Sequence, residues 1–177
     1  DDLITTDEDG SRILGAVDIY GLMFHGPRFQ PLKGVVATIE TTSGTGIEAR
    51  VNSIQDLPDP RLFNIRGKAI IPDLTSYPML IESCFQAAGL TSMDLDSAES
   101  LPVGAKRILI AGEIPEGSLT VTSVRKGSET NGTFVHESVI RLDGSPIMRI
   151  DGLKMKKLRD LNDDQRPGLA EYSGELT

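Results

Sequence analysis

Tryptophan is absent from this 177-residue chain, and cysteine and histidine are nearly so, with one and two copies. A lone Cys84 excludes an intrachain disulfide and fits a reducing compartment, so a cytoplasmic location is expected. An apolar helix around it raises a thiol's pKa, which makes Cys84 a small core residue and a poor nucleophile. The spacing of His25, His136 and Cys84 matches no metal site, and no metal or cofactor is expected. Basic charge is also in short supply: Lys plus Arg is 18 against 26 for Asp plus Glu, a net charge of −8. That balance disfavours nucleic acid and anionic membranes as partners. No apolar run approaches the ~20 residues needed to span a bilayer. The acidic start shows no signal peptide, and the lack of an initiator Met suggests a piece of something longer.

What is present is strand signal and one helix. The 38% hydrophobic content indicates one globular domain. "KGVVATIETTSGTGIEARVNS" alternates Val35, Ala37 and Ile39, turns at 43–46, then alternates Ile47, Ala49 and Val51, which predicts a β-hairpin. "RLFNIRGKAII" is a further β-prone run. A helix over 77–90 is predicted, with Ser76 as N-cap, Pro78 in the first turn and Gly89 closing it. "LTSMDLDSAESLPVG" reads as a polar connector. "AKRILIAGEI", "GSLTVTSVRKG", "GTFVHESVIRL" and "SPIMRIDGLKMKKL" read as a four-stranded antiparallel meander. Their turn signals are Pro115-Glu116-Gly117, Asn131-Gly132 and Asp143-Gly144, and a bulge is expected at Asp151-Gly152. The expected architecture is α+β, an antiparallel sheet wrapped around one long central helix, over residues 1–158. Residues 159–177 read as an acidic linker or tail.

Within that apolar helix stands one carboxylate, Glu82. An unpaired charge in a core costs several kcal/mol, so it pairs, turns outward or takes up a proton. A carboxyl kept protonated by an apolar surrounding is also what protonates a leaving group at neutral pH. Gln86, one turn on, shares its face and can orient it.

Two segments carry a family resemblance. "YPMLIESCFQAAGL" resembles the "HP-x-L-L-D-x-x-x-Q" segment of polyketide synthase dehydratases, and "FHGPRFQPLKGV" resembles that family's "Y-G-P-x-F-Q-G-L". Their order matches, with "LPVGAKRI" and a closing meander following. The resemblance implies a hot-dog fold, specifically the second, C-terminal hot-dog of a double hot-dog dehydratase, a lyase of polyketide or fatty acid biosynthesis. It implies Glu82, Gln86 and His25 as catalytic residues, with a structural His25 beside its Gly-Pro turn left open as the alternative, and Gly26, Pro27, Phe29, Tyr77 and Pro78 as lining a substrate tunnel. It implies no cofactor, and as partners an acyl carrier protein presenting a phosphopantetheine-linked 3-hydroxyacyl chain, and a first hot-dog or a homodimer partner. Glu82 stands where the family has Asp, Tyr77 where it has His, and His25 where it has Tyr. Neither His25 nor His136 lies in the family's "H-x-x-x-G-x-x-x-x-P", so the basic half of the catalytic pair is missing from this chain. Arg28 is read as solvated, although a phosphopantetheine phosphate is a conceivable partner, and His136 as structural. Two other readings stay open: an inactive dehydratase-like scaffold, and a hot-dog acyl-thioester hydrolase.

Overall fold

Alternating apolar residues and turn-forming pairs produce a single curled antiparallel sheet, and the apolar helix fills its concave face. The computed structural model describes residues 14–52, 73–111, 116–162, 165 and 167, with Arg28 and residues 73–76 described by their backbone alone. In chain order the elements are β1 (Leu14–Gly15), α1 (Ala16–Leu22), a 3-10 turn (Pro27–Phe29), β2 (Leu32–Thr41), β3 (Gly44–Val51) and α2 (Asp73–Asp96). There follow β4 (Ala98–Gly104), β5 (Arg107–Ile110), β6 (Leu119–Glu129), β7 (Thr133–Leu142) and β8 (Ser145–Asp160). The strand order is β1-β2-β3-β6-β7-β8-β4, with β5 also paired to β8. This is the hot-dog arrangement: α2 packs on β3, β4, β6, β7 and β8. Leu80, Cys84, Ala87, Ala88 and Leu90 of the helix join Ile47, Val121, Ile140, Ile150 and Leu153 of the sheet in one core. No helix among the described residues is long and apolar enough to cross a membrane.

The hairpin forms as its alternation requires, with Val35 opposite Ala49 and Leu32 opposite Val51. Its turn is tighter than expected, since Thr41 already pairs with Gly44. Asp143 and Gly144 both have positive φ, 47° and 82°, the twisted two-residue turn that Asp-Gly favours. The bulge is where it was expected: His136 pairs with Leu153 and Ser138 with Ile150, so Glu137 faces both Asp151 and Gly152. Gly152 takes φ 60° there.

Four expectations are corrected. The helix begins at Asp73, so Ser76 is not its cap and Pro78 lies inside it, beyond the first turn. Gly89 does not end it, and the supposed polar connector is the last two turns of α2 followed by β4. Thr91 and Ser92 are tolerated in the buried helix because their hydroxyls donate back to the Ala87 and Ala88 carbonyls at 2.8 and 3.1 Å, which satisfies them. β5 leaves the meander and pairs Arg107–Ile110 with 148–151 of β8, while β4 takes 154–160 on the far side of the bulge. The strand also outruns Leu158, reaching Asp160, and the buried Leu161 donates its N–H to the Ser97 carbonyl at 2.8 Å. The β-prone run 61–71 and Pro115 lie outside the described residues.

Candidate active site

On a helix, residues four and seven apart share a face. Glu82, Gln86, Gly89 and Met93 of α2 therefore present one stripe, and all four line a cavity of about 390 Å³. The opposite wall comes from the end of α1 and the segment into the 3-10 turn, with Met23, Phe24, His25, Gly26 and Phe29. The cavity closes on β4 at Ser100, Leu101 and Pro102. The chain thus brings its two resemblance-bearing segments, about fifty residues apart in sequence, onto facing walls.

Their polar groups meet. His25 Nε2 lies 3.0 Å from Glu82 Oε1. Gln86 Nε2 donates to the same oxygen at 2.9 Å and to the Phe29 carbonyl at 2.9 Å. Tyr20 Oη accepts the Leu32 N–H at 2.8 Å and donates to Gln86 Oε1 at 3.0 Å. These contacts fix which way the amide points. A carbonyl can only accept, so Phe29 requires the NH2 of Gln86 on its side. The Leu32 N–H needs a lone pair of Tyr20, which leaves the phenol proton for the amide oxygen. Gln86 is thus locked with a hydrogen aimed at Glu82. Gln30 braces the turn by donating to the His25 carbonyl at 3.1 Å, and the ring of Phe24 stacks on His25 at 4.5 Å.

The electrostatics correct one expectation. Burial raises the Glu82 pKa, but the hydrogen bonds from His25 and Gln86 and the nearby imidazole together outweigh it, and the net shift is downward. The lowered pKa favours the ionised form of Glu82 over the protonated one. Both hydrogen bonds fall on Oε1, so a proton taken up by the carboxyl belongs on Oε2. Burial pushes the Tyr20 phenol well above its ordinary range, which keeps it a donor.

Of the expected tunnel residues, Gly26 and Phe29 line the cavity, whereas Pro27, Tyr77 and Pro78 do not. Pro27 opens the 3-10 turn and is exposed, Pro78 is exposed on α2, and Tyr77 packs against the core. Arg28's side chain lies outside the description. Cys84 is fully buried and its thiol is pushed up by burial, as a core residue's would be. His136 is fully buried beside Ser92 Oγ, 3.3 Å from Nε2, and stands apart from the cavity. Tyr20 escaped the sequence reading: 66 residues separate it from Gln86, and no local spacing links them. Met23, Phe85, Gly89 and Met93 escaped as tunnel residues because an apolar stripe reads equally well as core.

The family model described as the polyketide synthase dehydratase N-terminal domain matches residues 5–165. Among solved structures, the dehydratase domain of PpsC from Mycobacterium tuberculosis is similar at 23% identity and a TM-score of 0.58, over 87% of this chain and 54% of that one. The dehydratase domain of RzxB from Pseudomonas fluorescens is similar at 19% identity and a TM-score of 0.54, over 86% and 52%. A hypothetical thioesterase with coenzyme A from Streptococcus pneumoniae is similar at 14% identity and a TM-score of 0.50, over 84% of this chain and 100% of that one. The chain spans about half the length of the dehydratase domains that it matches. Curated protein sequences give no match.

Proposed function

The chain belongs to the polyketide synthase dehydratase family, and we propose that it is the carboxylate-bearing hot-dog of an enzyme removing water from a 3-hydroxyacyl thioester. The observation that carries this reading is the His25–Glu82–Gln86 cluster on the wall of a largely apolar cavity. Although the family description refers to an N-terminal domain, two features favour the second half of a double hot-dog. The chain has a carboxylate on its central helix, and it lacks the "H-x-x-x-G-x-x-x-x-P" histidine. The spans matched in the dehydratase domains, about half of each, are consistent with a half-domain.

On this reading a first hot-dog, in the same polypeptide or a partner chain, supplies a neutral imidazole that removes the α-proton. Glu82 delivers a proton from Oε2 to the departing 3-hydroxyl. The C–H and C–O bonds break, a C=C bond forms and water leaves. Each positioned acid or base contributes about 10²–10⁴. Gln86 and His25 both hold Oε1, which leaves Oε2 free to carry the proton. Entry of an apolar acyl chain removes water from around Glu82, which strengthens the upward pull of burial and favours the protonated form. The substrate is carried on phosphopantetheine, by an acyl carrier protein.

The ionised state of Glu82 favours a second reading. A carboxylate held charged beside an imidazole suits a base or nucleophile, and hence hydrolysis of an acyl thioester. The two readings separate in one experiment. The chain is incubated, alone and joined to a first hot-dog, with a 3-hydroxyacyl pantetheine thioester, and enoyl absorbance and free thiol are followed together. Enoyl product from the joined protein only supports dehydration. Thiol released by the chain alone supports hydrolysis, and neither product supports a scaffold without activity.

A further inference from the structure

Gly89 occupies a position where the fold has no use for glycine. It lies well inside α2, and its backbone is not in the left-handed region that glycine serves. A Cβ built there meets only the flexible end of Met23, with Cε at 3.5 Å, an ordinary contact. In a helix interior glycine is the poorest residue short of proline, because it loses the most chain entropy on folding. Alanine would fit and would hold the helix better. What its methyl group would fill is the cavity that Gly89 lines.

We propose that Gly89 is a specificity-determining residue, whose missing side chain keeps open the part of the cavity that takes the hydrocarbon tail of an acyl thioester. The inference rests on Glu82 marking the reacting end. From Glu82 to Met93 the helix rises about 16 Å. The wall along that path is mostly apolar, with Met23, Phe85, Met93, Leu101 and Met155, and carries Glu99 and Ser100 on its β4 side. A tail running from the reacting carbons toward Met93 passes Gly89 just beyond Gln86. A side chain at position 89 therefore obstructs tails that reach it and leaves shorter ones untouched.

The test compares the full chain with Gly89→Ala and Gly89→Leu, titrated calorimetrically with butyryl- and decanoyl-pantetheine and melted in parallel. Gly89→Ala is expected to melt higher than the parent and to shift preference toward butyryl. Gly89→Leu is expected to weaken decanoyl binding about tenfold or more while butyryl stays within about twofold. If Gly89→Leu does not fold, the shift in preference of Gly89→Ala decides. Variants that bind decanoyl as the parent does, or lose both thioesters equally, overturn the inference alone. A parent that binds neither thioester overturns the acyl-thioester reading and this inference with it.

Discussion

Glu82 shows how a single residue's chemistry is set by neighbours that its own sequence surroundings do not reveal. Its place on an apolar helix made a raised pKa the natural expectation. His25 and Gln86 reverse the sign, and only the fold brings His25 to 3.0 Å. Because its pKa is lowered in the folded state, Glu82 contributes stability that is present above its unfolded pKa and lost as pH falls through the folded one. Tyr20→Phe removes the donor that orients Gln86 and leaves the Leu32 N–H without its acceptor. The variant should lose about 1–3 kcal/mol of stability, and the Glu82 titration, read by carbon NMR of the carboxyl, should move upward. An unmoved titration would reduce Tyr20 to a packing residue. His136 gives a second residue-scale prediction. Burial first, and the charge of Arg125 second, lower its pKa to about 3. The unfolded chain binds that proton near the ordinary histidine value and the folded one does not, so stability falls as pH drops below about 6.5 toward 3. His136→Gln should flatten that fall in urea midpoints measured from neutral pH to pH 4. His25 remains in both proteins, so the difference reports His136.

At the scale of elements, the legible parts were those where one local signal decides. Asp143-Gly144 and the Gly152 bulge need positive φ, and the sequence supplies residues that adopt it. The alternation of β2 and β3 set which side chains face inward. The illegible parts needed a distant partner. Ile108, Leu109 and Ile110 read as the first strand of a meander, but β3 and β7 take both edges of β6, and β5 pairs with β8 instead. Gly46 read as a turn residue, yet it lies in β3, where a Cβ would come within 2.0 Å of the Ser123 carbonyl oxygen. The glycine is there so that β3 and β6 approach closely. Gly46→Ala should cost about 1–3 kcal/mol in urea unfolding, as forced overpacking typically does. Gly21→Ala on α1, where a Cβ meets nothing within 4 Å, should be neutral or mildly stabilising.

At the scale of the whole molecule, the hot-dog and its central helix were readable because two motifs and the strand pattern agree on one fold. Of the candidate site, the positions Glu82, Gln86 and His25 were readable from two motifs, and the fold brings them together in one cavity. The site was unreadable where, as with Tyr20, the contact is made only by folding. Three exposed apolar residues on β5, Ile108, Leu109 and Ile110, lie at a sheet edge. An edge of that kind invites pairing, and a first hot-dog or a second copy of the chain is the partner proposed for this half-length domain. The central claim is that Glu82 is the proton donor of an acyl-thioester dehydration, and single-turnover formation of the enoyl thioester by the chain joined to its first hot-dog tests it most directly. Glu82→Gln keeps the size of the side chain and an acceptor oxygen for Gln86 and His25, but cannot deliver a proton. The account predicts that this variant folds as the parent does and is slower by about 10²–10⁴. Enoyl formation by Glu82→Gln at the parent's rate would contradict it.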